Sequence, residues 1–544
     1  MADALRSIST RTTPQTEAAR SDQVVNNAGG FVFKLTPKSQ LRRFLILGVD
    51  GGTYYQRSQE LAVSNAKTVV YLAETNPKLV ISEIKEVAEQ NLAPRANPLL
   101  FALAIVSAPD INKDASLRAE ALRLLPTVAR TSTQLFTFIE YAQQFRGWGV
   151  SLREAVSYWY LDRSPQSAAY QIVKYRQRNG WTHRDVLRKA HPVGTGDFKP
   201  LFDYTCGRYS NLDDLPDSLK QIKGFEAAKT APTRHLPELI KEYNLTWEML
   251  PTAALNEADV WRALIDSGMP YTATMRQLSR LTQLNVLQGS YLKKVVATLI
   301  DKEKIQKSGV HPMNILFAMT TYASGRGFRG STTWRPERAI VDTLDNAFYT
   351  AFKNVKPSGK RHMLALDVSG SMMSPIMNSN LSAREGSVAM ALITAATEPE
   401  TSVYGFTTGA RGSSRFPNYY DRGSMYPLDL SPRRRLDDNV RAVSGLPFCG
   451  TDCALPMQYA KKNGLEIDHF VVYTDNETWA GSEQPFQALR KYRESSGINA
   501  KLTVVGMTAT EFSIADPSDP GMLDVVGFDA SAPAVISNFA AGDL

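Results

Sequence analysis

The stretch "HMLALDVSGSMMSP", residues 362–375, runs apolar residues straight into Asp367, with Ser369 and Ser371 following at alternate positions. A short run that is apolar throughout reads as a strand buried on both faces, as in a parallel sheet. In such sheets ligands bind beyond the carboxyl ends of the strands, where Asp367 falls. Two readings compete for the polar tip: a tight polar turn, or part of a metal-ligand set.

Downstream, "SVYGFTT", "HFVVYTD" and "KLTVVGMT" repeat the strand pattern. The helical stretches "EGSVAMALITAAT" and "EQPFQALRKYRES" lie between them. Buried strands alternating with helices predict βαβ units in a parallel sheet covered on both faces. The change of texture follows "KPSGK", residues 356–360, so we expect a domain over 356–544.

Upstream, residues 1–355 read differently. "SQELAVSNAKTVVYLAE", "NPLLFALAIVSA", "ASLRAEALRLLPTVAR", "TQLFTFIEYAQQF", "MRQLSRLTQLNVL" and "SYLKKVVATLI" space apolar residues by three and four. Short polar or proline-containing joints separate the earlier ones. This predicts short amphipathic helices stacked as an irregular solenoid, with a non-repetitive helical domain as the alternative. At 544 residues the chain exceeds one ordinary core, and two domains are expected. The fold class expected is therefore α plus α/β.

Composition narrows the function. With 43% hydrophobic and 21% charged residues the chain is globular. Its polar N-terminus has no apolar signal core, and no apolar run is long enough to span a membrane, so a cytoplasmic protein is expected. Cys206, Cys449 and Cys453 make no disulfide framework. The net charge of +8 is uneven: residues 356–544 hold 17 basic and 21 acidic side chains, and the rest holds 45 basic and 33 acidic. That asymmetry points to a polyanion partner for the helical part, nucleic acid first, with a merely solvated basic surface equally open on charge alone.

Three segments supply candidate ligands: "DVSGS" with Asp367, Ser369 and Ser371; "CGTDC" with Thr451 and Asp452; and "YTDNETW" with Asp475. An all-oxygen set rich in hydroxyls suits a hard divalent cation, Mg²⁺ above others. Zinc is disfavoured, because no histidine pair completes the Cys449–Cys453 spacing. A serine nucleophile is disfavoured too, because His362 and His469 begin their strands on the opposite edge.

The densest basic stretch is "VKYRQRNGWTHRDVLRKAHP", residues 173–192. Lys174 and Arg178 are four apart and would share a helix face. Gly180 would end that helix, and Thr182 would cap the next with Asp185 at its third position. Arg184 and Arg188 would line one face of that second helix, with His191 at its end. Two helices presenting cations around a corner suit phosphate contacts, and the residues alone equally fit a solvated helical hairpin.

The pattern of Asp367, Ser369, Ser371, Thr451 and Asp475 resembles the metal-ion-dependent adhesion site of von Willebrand factor A domains. The resemblance implies that Ser369, Ser371 and Thr451 ligate the ion, with Asp367 and Asp475 bound directly or through water. The basic stretch resembles the Y-RNA-binding segment of the Ro autoantigen family, whose helical part is the TROVE domain. "NNAGGFVF", "RFLILGVDGGTYY", "LFTFIEYA", "RGFRGSTTWRPE", "TDNETWAG" and "MTATEFSIADP" extend the likeness from about residue 26 to 530. A bacterial or phage Ro orthologue is the implied identity.

The resemblance implies HEAT-like helical repeats closed into a ring with a basic central hole. Y RNA would bind the outer surface, through Lys174, Arg178 and His191. Single-stranded 3′ ends of misfolded or precursor noncoding RNAs, rRNA or tRNA-like ones among them, would thread the hole. A 3′ exoribonuclease such as polynucleotide phosphorylase is the implied partner if the chain is bacterial. A monomer without catalytic activity is expected. The competing reading is a metal-dependent protein-interaction module with the ring as a platform. Arg130, Arg326, Arg329 and Arg335 are cavity candidates on charge alone, with a structural role equally open to each. Cys449 departs from the family's usual glycine. The basic segment 407–435 is longer than the family norm, and "GVDGGTYY" lacks the Gly-Lys-Ser/Thr of a phosphate loop.

Overall fold

The computed structural model describes residues 12–47, 58–93, 95–209, 211–327, 331–376, 380–408, 425–446, 450–507, 512–526 and 532–542. The expected helices form, from Pro37–Leu47 to Arg338–Thr350. Their starts are written locally. Asn76, Asp114, Thr131 and Ser164 each accept a backbone N–H of the following helix, and Pro77 and Pro165 occupy first-turn positions that need no donor. Helices pack on their sequence neighbours, as Pro312–Ala323 does on Arg338–Thr350, and across intervening ones, as Asn97–Val106 does on Ser132–Phe145.

The strands are β1 (Gln23–Val25), β2 (Phe31–Lys34), β3 (Gln177–Arg178), β4 (Trp181–Thr182), β5 (Arg361–Asp367), β6 (Glu400–Phe406), β7 (Met425–Pro427), β8 (His469–Thr474), β9 (Lys501–Gly506), β10 (Phe512–Ser513) and β11 (Met522–Val526). Six form the main sheet in the order β11-β9-β8-β5-β6-β7, with only β7 antiparallel to its neighbour. This is the doubly wound sheet that the alternating strands and helices predict. Successive residues of β5 serve opposite faces. Leu364 and Leu366 join a core continuous with the helical region, whereas Met363 and Ala365 join a second core with Met457, Leu489 and Tyr492.

The chain folds back on itself at its start. β2 pairs with β1 on one side and with β10 on the other, so residues 23–34 extend a small sheet of the C-terminal region. At the far end of the helical series, Pro312–Ala323 packs against the sheet-covering helix Ala383–Thr397. Both ends of the helical series are thus anchored on the sheet domain. No helix among the described residues is long and apolar enough to cross a membrane.

Candidate nucleic-acid interface and the polar cluster at the sheet edge

The helix Pro165–Lys174 stops at Lys174, four residues short of the expected run through Arg178. Residues 177–182 form a hairpin instead, pairing Gln177 with Thr182 and Arg178 with Trp181. Asn179 and Gly180 make its turn with φ of 53° and 77°. Two left-handed residues in a two-residue loop match the right-handed twist of the strands, and Asn-Gly is the pair that adopts them at least cost. Arg178 therefore sits across from Trp181 rather than one turn above Lys174.

The second helix, His183–Ala190, begins as its sequence predicts. Thr182 Oγ1 accepts from the Asp185 N–H, and Asp185 accepts from the Thr182 N–H, in a reciprocal cap. His183, Val186, Leu187 and Ala190 are buried, while Arg184, Arg188 and Lys189 are exposed. His183 anchors the helix: its Nδ1 lies 2.7 Å from Tyr160 Oη, and its ring meets Phe136 and Tyr160 edge-on. Burial lowers its pKa to about 3, so it is a neutral packing residue. Lys189 lies over the Trp148 ring, which in turn packs on Trp181.

Lys174 is half-buried. Its Nζ is 3.3 Å from Glu248 and 2.8 Å from the Tyr170 hydroxyl. Lys174 and Arg178 line one cavity of about 450 Å³ together with Thr133, Tyr175, Arg176 and Glu248. His191 does not line it. It is exposed, in a left-handed conformation with φ of 52°, at the far end of a helix about 12 Å long. Among the described residues Arg178, Arg184 and Arg188 have no carboxylate within ion-pair distance. Glu248 and Tyr175 escaped the sequence reading. Glu248 arrives from a short turn far downstream, and no local spacing marks it.

Of the cavity candidates, Arg130 is structural: it donates to Asn91 Oδ1 and to the Ala88 carbonyl. Arg326 and Arg335 are exposed. In the basic segment 407–435, Arg434 pairs with Asp429 and Arg435 with Asp342 and Asp437. Arg329, Cys449, residues 48–55 and residues 409–424 lie outside the described residues.

At the sheet edge the structure does gather the expected residues, but as a hydrogen-bonded cluster. Asp367 ends β5 and is 1% exposed. It accepts from the Ser369 N–H at 2.8 Å, Thr474 Oγ1 at 2.9 Å and Thr451 Oγ1 at 3.4 Å. Ser369 and Ser371 face each other at 3.0 Å between hydroxyls. Asp475 accepts from the Glu477 N–H. Asp452 is turned away, towards Gln15.

The expected divalent cation is overturned. Among the described residues no group of three or more His, Cys, Asp or Glu side chains is placed to hold a metal ion. The Mg²⁺ expectation falls with it, and nothing among the described residues supports the adhesion-site reading or the metal-dependent interaction module. Burial and then the Asp475 charge push the Asp367 carboxyl up to about 7, against the hydrogen bonds that favour its ionised form. Buried Arg384 also brings a guanidinium behind the loop, donating to the carbonyls of Val368 and Ser369. Spacing predicted proximity correctly, but local dehydration and the nearby arginine suit the cluster to internal hydrogen bonding.

Comparison with known proteins matches residues 361–540 to the Ro60 vWA domain and residues 24–232 and 240–321 to the TROVE domain. The chain is 39% identical over 556 residues to the RNA-binding protein RO60 of Deinococcus radiodurans, covering 100% of both. It is 35% identical over 605 residues to the RNA-binding protein RO60 of Caenorhabditis elegans, covering 97% of this chain and 92% of that one. The crystal structure of the Deinococcus radiodurans RO (RSR) protein superposes with a TM-score of 0.75 at 37% identity, over 94% of this chain and 100% of that chain.

Proposed function

Because the chain belongs to the Ro60 family, with a TROVE domain followed by a Ro60 von Willebrand A domain, we propose that it is an RNA-binding scaffold without catalytic chemistry. Y RNA docks on the outer face of the helical region, at the corner formed by the hairpin Gln177–Thr182 and the helix His183–Ala190. The single observation that carries this reading is the row of exposed cations at that corner, Arg178, Arg184 and Arg188, with no acidic partner among the described residues. A cluster of exposed cations without acidic neighbours attracts a polyanion.

Arg178 serves phosphate, Lys174 lies in the adjoining cavity, and His191 supplies a ring and a donor at the far end. In the wider reading, single-stranded 3′ ends of misfolded or precursor RNAs enter the centre of the helical region, and a 3′ exoribonuclease works on them in the cytoplasm. The protein acts as a monomer in this scheme.

A filter-binding titration with a structured Y-like RNA tests the proposal. Tight binding that weakens steeply with salt is expected. The triple variant Lys174→Ala, Arg178→Ala, His191→Ala should lose most of that affinity with an unchanged circular dichroism spectrum. Unchanged affinity in the triple variant would remove these residues from the site.

A further inference from the structure

The cavity beside the basic corner contains a carboxylate, which a groove made only for phosphate would exclude. Its walls include Lys174, Tyr175, Arg178 and Glu248, and its 450 Å³ falls in the roughly 300–1,000 Å³ range of small-ligand sites. Glu248 stands on the short turn Trp247–Met249, which packs against the helix Pro165–Lys174. The side chains of Glu248 and Lys174 are only 21% and 16% exposed, and they meet at 3.3 Å. Among the described residues Glu248 accepts no hydrogen bond from a hydroxyl or a backbone N–H. A carboxylate offers about four acceptor positions, so most of its capacity is unused within the protein. Lys174 Nζ lies over the rings of Tyr170 and Tyr175, and Tyr175 itself forms part of the cavity wall.

We propose that this cavity reads one unpaired guanine of the bound RNA; the inference rests on the RNA-binding function proposed above. Guanine presents two adjacent donors, N1–H and the N2 amino group, beside the O6 acceptor. Glu248 accepts both donors, and Lys174 donates to O6. The base ring stacks on Tyr175, as bases splayed from loops and bulges do. Adenine would set its N1 acceptor against the carboxylate, and so would cytosine with N3. Uracil offers a single donor between two carbonyls. Guanine alone among the four satisfies this pair of charges, and the partly dehydrated setting makes an unmatched acceptor costly. Arg178, on the rim, holds the flanking phosphate without regard to base.

Fluorescence-polarisation titrations of the full chain test this with a labelled hairpin RNA carrying one bulged nucleotide: guanine, inosine, adenine, cytosine or uracil. The guanine bulge should bind about tenfold more tightly than adenine, cytosine or uracil. Inosine, which lacks the N2 amino group, should fall between. Glu248→Gln keeps a hydrogen-bond partner for Lys174 but removes the paired carboxylate acceptors, and should bring the guanine hairpin to the affinity that the same variant shows for the uracil hairpin. Arg178→Ala should weaken all five hairpins alike. Equal affinity of the wild-type chain for every bulge overturns the guanine site and leaves RNA binding standing. Uniform tightening by Glu248→Gln also overturns it, since the carboxylate would then only repel phosphate. Failure to bind any hairpin overturns the RNA reading and this one with it.

Discussion

Gln15 and Asp452 lie 437 residues apart in the chain and 2.7 Å apart in the fold. Gln15 is fully buried, and its amide is fully used. Nε2 donates to Asp452 and to the Glu483 carbonyl, while Oε1 accepts from Thr478 Oγ1 and the Gly481 N–H. The N-terminal segment is thereby pinned to the loops at the carboxyl edge of the main sheet.

Gln15→Leu should therefore cost more than the loss of one surface contact. It takes the acceptor from the Thr478 hydroxyl and the Gly481 N–H in a dry pocket and leaves Asp452 with the Ala454 N–H alone of its two donors, and each buried donor left unmatched costs about 1–3 kcal/mol. Urea unfolding should show a loss of about 2–4 kcal/mol. A midpoint within error of the wild type would mean that water replaces the amide and that the pin is not structural.

Gly30 tests the same attachment by shape. A Cβ at this position would lie 1.8 Å from the Thr478 carbonyl oxygen and 3.0 Å from Trp479 Cα. Both atoms are backbone and cannot swing aside. Gly30→Ala should force residues 26–30 off the loop and break the Asn26 hydrogen bond to the Thr478 carbonyl. Limited proteolysis should then cut the N-terminal segment first, at a protease concentration that leaves the wild type whole. Equal resistance in the two proteins would show that the segment re-docks elsewhere.

What the sequence made legible follows the range of the interactions. β5, β8 and β9 were readable because strands buried on both faces must be apolar throughout. The Thr182–Asp185 cap was readable because the two partners of a capping box stand only three positions apart. The hairpin at Asn179–Gly180 was missed because the four-residue spacing of Lys174 and Arg178 outweighed the turn signal between strand-forming residues. The metal reading went astray for a longer-range reason. The motif brings Asp367, Ser369 and Thr451 together, yet the buried Arg384 behind their loop carries no mark in that motif. The pairing of β2 with β10 and the guest role of Glu248 are equally invisible, since only the folded chain brings those partners together.

His183 gives the fold a pH dependence with a definite sign. Burial lowers its pKa to about 3, whereas the unfolded chain protonates histidine near 6.5. Below pH 6.5 the unfolded state takes up a proton that the folded state refuses. Stability should fall with decreasing pH by up to about 1.4 kcal/mol per unit from this residue. His183→Gln loses packing against Phe136 and Tyr160 and should be less stable at pH 8. Its stability should, however, decline less steeply between pH 6 and 4.5, by about one proton. Parallel slopes in the two proteins would show that the ring is protonated in the fold.

Arg184 and Arg188 should show opposite effects on folding and on binding. They lie one turn apart on the exposed face of His183–Ala190, where like charges at this spacing repel by a few tenths of a kcal/mol. Neither has an ion-pair partner among the described residues. Replacing both by alanine removes the repulsion and introduces the best helix former, so unfolding should be unchanged or shifted upward by about 0.5 kcal/mol. RNA affinity should drop in the same protein. Each lost phosphate contact removes about 0.9 from the slope of log affinity against log salt, so the slope should shrink by about 2 if both arginines bind phosphate. Titrations at several salt concentrations between 50 and 200 mM, set beside urea unfolding, separate the two effects. A slope that stays constant would place the RNA elsewhere on the helical surface, and a fall in stability would make the arginines part of the fold.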